Sequence, residues 1–282
     1  MPTSDSPDVD PLNLWGNARE GSDLSAQLQP PPTPAVSRRG LDGDVVLDGV
    51  TRTFPGPSGP VQALKGISLR AGAGEVLALV GPSGCGKTTM LELICGLQRA
   101  DAGTVRSPPA VLMPQHDLLL PWLDAVDNAA LALRIAGARR SEARRRAGAL
   151  FAELGIDGFQ QAAPGELSGG MRQRVAFLRT LLSGRPVLCL DEPFGALDAI
   201  TRAEMQEWLA AALAREPRTV LLVTHDVEEA ILLADRVLVL SPRPGRVTAE
   251  LGVQMPRPRR REERPVVELR SRALELLAAG SR

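Results

Sequence analysis

Apolar residues in this chain fall into short runs of two kinds. Val76-Leu77-Ala78-Leu79-Val80, Val187-Leu188-Cys189-Leu190 and Thr219-Val220-Leu221-Leu222-Val223 are continuous and of strand length. That is the pattern of strands buried on both faces. Val45-Val46-Leu47 and Ile67-Ser68-Leu69 read as further short strands, with Pro55-Gly56-Pro57 as punctuation between them. Val237-Leu238-Val239-Leu240 also has only strand length. The other kind recurs at helical spacing. Thr88 through Leu97 and Ala203–Ala214 read as helices. So do Ala129–Ala138 and Glu142–Leu154, inside a mostly helical block from about Gln115 to Arg185. Strands alternating with helices predict a mainly parallel sheet with flanking helices, and the block between them reads as an inserted lobe.

The two ends differ from this middle. Residues 1 to about 42 are rich in Pro, Ser and Asp, and Pro30-Pro31-Pro32-Thr33-Pro34 is a stiff extended piece, so a disordered tail is expected. Past Pro242 the pattern loosens again. Met255-Pro256-Arg257-Pro258-Arg259-Arg260-Arg261 is basic and Pro-rich and reads as solvated, followed by a short helix at about Val266–Ala279 that packs back on the body. The division expected is 1–42, a tail; 43–250, the α/β domain with its lobe at about 115–185; and 251–282, a basic segment ending in a helix.

Composition narrows the possibilities. A length of 282 residues suits one large α/β domain or two modest ones. Lys+Arg and Asp+Glu are both 33, so no excess of positive charge points to nucleic acid. Tyr is absent and aromatics make up 3%, which argues against stacking on single strands. Cys85, Cys95 and Cys189 lack zinc-ligand spacing and read as small buried residues of a reduced compartment. The acidic, polar N-terminus has no signal-peptide pattern, and no apolar run nears the roughly 18–20 residues of a membrane span. Work at a membrane would therefore need another subunit to do the spanning.

The chemistry begins after Val80. Gly81-Pro82-Ser83-Gly84-Cys85-Gly86-Lys87-Thr88 matches G-x-x-x-x-G-K-[ST] and stands between a strand and a helix. Glycines let the backbone turn its N–H groups onto phosphate oxygens, and the helix start adds its positive end. Lys87 is placed to neutralise β/γ-phosphate charge, and Thr88, with Thr89 behind it, to reach Mg²⁺ and phosphate. Cys85 fills the loop as a small residue. The run Val187–Leu190 delivers Asp191-Glu192 at a strand's C-terminal end, where ligands of parallel sheets collect. Asp191 is expected on Mg²⁺ and Glu192 on the attacking water; adjacent carboxylates there could otherwise cap a helix. His225 follows the strand Thr219–Val223 and could reach a γ-phosphate. Gln115 could contact Mg²⁺ or water.

Leu167-Ser168-Gly169-Gly170-Met171-Arg172-Gln173-Arg174 lies between the phosphate loop and the acidic pair. This segment resembles the signature motif of ATP-binding cassette (ABC) proteins, departing at Met171, where Gln is commoner. The resemblance covers about Asp44 to Gly245. It implies a P-loop NTPase fold with a mainly parallel central sheet, an N-terminal antiparallel β portion and an inserted helical lobe. It also implies that Ser168, Gly169 and Gly170 serve the ATP of a second copy packed head to tail. Phe54 would stack on adenine, where the family more often has Tyr. Gln115 would be the hinge to the lobe, Gly195-Ala196-Leu197-Asp198 the loop crossing the dimer interface, and His225 the switch histidine.

Leu118-Leu119-Leu120-Pro121-Trp122, Asp198-Ala199-Ile200-Thr201-Arg202, Thr224-His225-Asp226-Val227-Glu228-Glu229-Ala230 and Pro256-Arg257-Pro258-Arg259 look like importer ATPases for nitrate, aliphatic sulfonates and taurine. Met113-Pro114-Gln115-His116 lacks that subfamily's aromatic before the Gln and leaves room for a thiamine-precursor pyrimidine as cargo. The function implied is ATP hydrolysis that drives uptake of a small anionic nutrient. The partners implied are two membrane permease subunits and, indirectly, an extracytoplasmic substrate-binding protein, with the chain on the cytoplasmic face of the membrane. Leu118–Leu123 is either part of the docking surface or ordinary lobe core. A soluble, non-transport ABC ATPase is the alternative from a different class.

Overall fold

The computed structural model describes residues 43–280, so the expected 1–42 tail lies outside the described residues. Strands β1 (Val45–Phe54) and β2 (Val61–Ala71) lead into β3 (Val76–Val80) and helix α1 (Lys87–Ile94). Then come β4 (Ala102–Arg106), β5 (Ala110–Met113), α2 (Ala125–Ala129), α3 (Leu131–Ile135), α4 (Arg140–Gly148) and α5 (Gly169–Leu181). The remainder is β6 (Val187–Asp191), α6 (Ala199–Arg215), β7 (Thr219–Thr224), α7 (Val227–Leu233), β8 (Arg236–Leu240), β9 (Val247–Gly252) and α8 (Arg264–Gly280).

The main sheet runs β5-β6-β7-β3-β8-β9, parallel except for β9. A smaller antiparallel sheet, β2-β1-β4, lies beside it. Side chains on a strand alternate between faces, and this alternation divides the core in two. Val76, Ala78 and Val80 of β3, with Leu188, Leu190, Val220 and Leu222, pack with the helices from α2 to α8. Leu77 and Leu79, with Cys189, Leu221 and Val223, pack with α1 and the antiparallel strands. Two-sided burial is why these strands are continuous apolar runs. Each such Leu or Val contributes about 2 kcal/mol by leaving water.

Several helix starts are set by single side chains. Asp124 accepts from Asp127 N (2.8 Å), Ser168 from Met171 N (3.2 Å), and Asp226 from Glu228 N (2.9 Å) and Glu229 N (3.3 Å). Asp198 accepts from Ile200 N and Thr201 N, both at 3.1 Å. Each cap supplies an acceptor to backbone donors with no partner inside the helix, a contribution of about 1 kcal/mol.

The structure corrects the sequence reading at several places. The helix expected at Ala129–Ala138 begins earlier, as α2 and α3, and ends at Ile135, just before Gly137 with its φ of 97°. The one expected at Glu142–Leu154 stops at Gly148; tighter i to i+3 turns carry the chain on while still burying Phe151 and Leu154. The chain past Pro242 is not loose, because β9 pairs antiparallel with β8 and closes that edge of the sheet. Nor is Arg259 solvated. It is 8% exposed, and its guanidinium donates to the carbonyls of Ile231, Ala234 and Met255 at 2.6–3.0 Å. Arg257 pairs with Asp235 at 3.1 Å. A basic run that looks like surface is a strap across the end of α7.

Candidate active site

The order β6-β7-β3 brings the C-terminal ends of three strands side by side, with Asp191 opposite Val223 and Val80 opposite Thr224. The loop Gly81–Gly86 leaves β3 there and turns into α1. Gly84 (φ 74°) and Gly86 (φ 100°) take left-handed backbone conformations that side chains disfavour. A Cβ on Gly86 would also lie 2.5 Å from Leu64 Cδ2.

Lys87 is buried under this loop. Its Nζ donates to the carbonyls of Gly81 (2.7 Å) and Pro82 (3.1 Å) and lies 3.8 Å from Cys85 Sγ. A buried ammonium held by neutral carbonyls is a charge ready for an anion. Burial pushes the Cys85 thiol up, against the pull of Lys87, so it stays neutral and acts as a small filler.

Thr88 Oγ1 donates to Asp191 Oδ2 at 2.7 Å. Asp191 is 3% exposed, and burial raises its carboxyl above the ordinary range although the Thr88 bond opposes the rise. Two oxygen ligands this close, one an under-neutralised carboxylate, fit a hard divalent cation that keeps most of its remaining ligands from phosphate and water.

Glu192 comes next and has φ 47°. Its N–H donates to Val223 O at 2.8 Å, tying the bend to β7. Its carboxylate sits between two partners: Gln115 Nε2 donates to Oε2 at 3.0 Å, and His225 Nδ1 lies 3.2 Å from Oε1. Supporting residues hold all three. Thr224 Oγ1 accepts from Asp226 N, fixing the turn that carries His225. On α5, Gln173 Nε2 donates to Pro193 O, while Arg172 pairs with Asp117 and Arg179 donates to the carbonyls of Asp117 and Leu118. One helix therefore anchors both the segment after Glu192 and the segment after Gln115. Phe177 on α5 packs on Phe194 with ring centroids 6.1 Å apart.

These groups open on a cleft of about 500 Å³ lined by Phe54, Pro55, Gly56, Pro57, Val61 and Ala63 on one side. Ser83, Gly84, Gly86, Lys87, Thr88, Thr89, Gln115, Asp191, Glu192 and Arg243 line the rest. One face of Phe54 is covered by the Arg52 guanidinium, 4.7 Å from the ring centroid. The structure thus brings together Phe54, the phosphate loop, Gln115, Asp191 and Glu192, with His225 against Glu192. Ser168, Gly169 and Gly170 do not line this cleft; they open α5 with Ser168 and Gly169 exposed. Sequence reasoning missed Arg243, in the turn between β8 and β9. The available signal was Pro242-Arg243-Pro244-Gly245, a turn between two apolar-patterned segments.

The description "ABC transporter" matches residues 64–195. The chain is 44% identical over 217 residues to a taurine import ATP-binding protein of Chromobacterium violaceum, covering 73% of this chain and 82% of that protein. It is 44% identical over 235 residues to an aliphatic sulfonates import ATP-binding protein of Rhodococcus jostii, covering 81% and 89%. To a nitrate import ATP-binding protein of Synechococcus elongatus it is 39% identical over 261 residues, covering 86% and 95%. Among solved structures it resembles a dimeric ATP-binding cassette in a post-hydrolysis state bound to ADP and Pi. The TM-score is 0.70 and the identity 29%, over 75% of this chain and 99% of that one.

Proposed function

The chain belongs to the ABC transporter family, whose ATP-binding proteins are ATP hydrolases coupled to transport, and from that premise we propose its residue roles, cargo and partners. It is the ATP-hydrolysing subunit of an importer for a small anionic nutrient of the taurine, aliphatic sulfonate or nitrate kind. What carries the mechanistic part is the Glu192 carboxylate held between Gln115 and His225 at the mouth of the phosphate-loop cleft. The cargo class rests on the import proteins the chain is similar to.

ATP enters with its base against Phe54 and its phosphates in the loop. Lys87 exchanges the carbonyls of Gly81 and Pro82 for β- and γ-phosphate oxygens. Gly84, Cys85, Gly86 and the start of α1 offer backbone N–H groups. Thr88 and Asp191, with Gln115, would hold Mg²⁺, which when bound would supply charge neutralisation on the phosphates. Glu192 orients and polarises the attacking water; His225, released from Glu192, holds the γ-phosphate. Ser168, Gly169 and Gly170 of a second copy close the site from the other side.

Closure of two copies moves their helical segments, and that motion reaches two permease subunits at the cytoplasmic face of the membrane. Leu118 (63% exposed) and Trp122 (75%) present an apolar edge to them, while Leu119 packs into the core. No helix among the described residues is long and apolar enough to cross a membrane. A substrate-binding protein outside the membrane delivers the cargo to the permease.

The test is growth. A strain lacking this chain should lose growth on taurine, an alkanesulfonate or nitrate as sole sulfur or nitrogen source. The wild-type chain should restore it and Lys87→Ala should not. Undiminished growth on all three removes the cargo assignment.

A further inference from the structure

Arg243 stands in the cleft without a role in the reaction just described. It belongs to the turn joining β8 to β9, and that turn is built to hold it there. Gly245 N donates to Ala63 O at 2.9 Å, and Lys65 N donates to Gly245 O at 3.1 Å, so the turn is stitched to β2. Ser241 closes the turn on itself: its Oγ accepts from Arg246 N at 3.1 Å and its N–H donates to Arg246 O at 2.9 Å. A Cβ on Gly245 would lie 2.1 Å from Cys85 O, so only glycine lets the turn come this close to the phosphate loop. The result is a side chain delivered to the loop's apex. Arg243 Nε donates to Gly84 O at 3.0 Å, and Nη2 lies 2.9 Å from where a Gly84 Cβ would stand.

Charge says what the residue is for. The ionisable side chains lining the cleft are Lys87 and Arg243 against Asp191 and Glu192. A nucleoside triphosphate adds several negative charges to a cleft that is otherwise balanced. Arg243 is exposed and bound there through one neutral carbonyl, a weaker partner than a phosphate oxygen. Its planar fork suits phosphate geometry better than a point charge does.

We infer that Arg243 is a nucleotide-contacting residue, which leaves the Gly84 carbonyl to bind the phosphate chain of the incoming nucleotide. The inference rests on the nucleotide site proposed above. It adds a second cation from the β8–β9 turn, an element apart from the phosphate loop, Gln115, Asp191-Glu192 and His225.

Isothermal titration of the whole chain with Mg-ATP, Mg-ADP and inorganic triphosphate tests this. Arg243→Ala should weaken all three by about tenfold, the loss expected for one charge-assisted hydrogen bond. Arg243→Lys should recover part of that loss. The gap between wild type and Arg243→Ala should shrink as KCl is raised, because a contact at an exposed cation is screened. Unchanged melting temperature of the nucleotide-free variants would show that folding is intact. If Arg243→Ala weakens ATP but not inorganic triphosphate, the residue touches the base or ribose and the phosphate assignment is overturned. If neither ligand is weakened, Arg243 is only a surface cation. Should wild type itself fail to bind Mg-ATP, the proposed site falls and this inference with it; a wild type that binds beside an unaffected variant removes this inference alone.

Discussion

At the scale of single residues, Glu192 is the most constrained group in the cleft. A left-handed backbone at a non-glycine residue costs about 1 kcal/mol, and here Val223 O and the Gln115 and His225 side chains hold it in place. Strain kept at a carboxylate that faces a phosphate loop fits a group placed for chemistry. Glu192→Gln keeps the shape and removes the base, so steady ATP turnover should fall at least a hundredfold while ATP still binds. Phosphate release assayed beside a filter-binding measurement separates the two effects; unchanged turnover takes Glu192 out of its role. Lys87, Thr88, Asp191 and Glu192 were legible in the sequence because their chemistry fixes their spacing in the chain. Arg243 was not, because its approach to Gly84 depends on Gly245 packing against Cys85 O, a contact between segments far apart in the chain.

At the scale of elements, α7 is held from both sides by residues whose types look wrong for burial. Arg259 donates to carbonyls at the end of α7 and to the Val253 carbonyl just past β9. Burial and the nearby Arg257 charge lower its pKa to about 10, still high enough to keep it charged at neutral pH. Arg259→Ala should cost about 2–3 kcal/mol, seen as a lower melting temperature, and Arg259→Lys should recover only part, since one ammonium cannot span the same carbonyls.

On the other side, Glu229 is 4% exposed and accepts from Gln206 Nε2 of α6 at 3.3 Å, with Thr224, Asp226 and Arg202 near it. Burial raises its pKa from 4.5 to about 7. The neutral form is the one that fits, so the stabilisation is complete below pH 4.5 and is lost as pH rises through about 7. Charging this group should cost about 3 kcal/mol by pH 8. Glu229→Gln should match wild type in thermal melts near pH 5 and exceed it increasingly towards pH 8; parallel curves would place the charge elsewhere. Helical and strand runs were readable wherever one face or both were plainly apolar. Arg259 and Glu229 were not, because a charge becomes a core residue only through partners that the fold supplies.

At the scale of the whole molecule, the start of α5 lies outside the cleft of its own chain. The phosphate loop, Asp191, Glu192 and Gln115 meet, while the start of α5 with Ser168, Gly169 and Gly170 stands apart from them. Yet α5 is not an idle helix, since it grips the segments after Glu192 and Gln115 through Gln173, Arg172 and Arg179. A helix N-terminus left exposed, on the same rigid rod that sets the local carboxylate, suits a role on a neighbour's nucleotide. Two copies related head to tail would each complete the other's cleft, an arrangement in keeping with the dimeric cassette the chain resembles. The turnover-blocked variant serves as the background. Glu192→Gln with Mg-ATP should run as a dimer in light scattering and as a monomer without nucleotide. Adding Ser168→Arg should abolish the dimer yet leave ATP binding to the monomer intact, because the blocked helix start belongs to the other copy's site. Adding Lys87→Ala instead should abolish both, because Lys87 belongs to the chain's own cleft. If Ser168→Arg weakens ATP binding by the monomer as Lys87→Ala does, the signature segment serves its own nucleotide and the composite site is wrong.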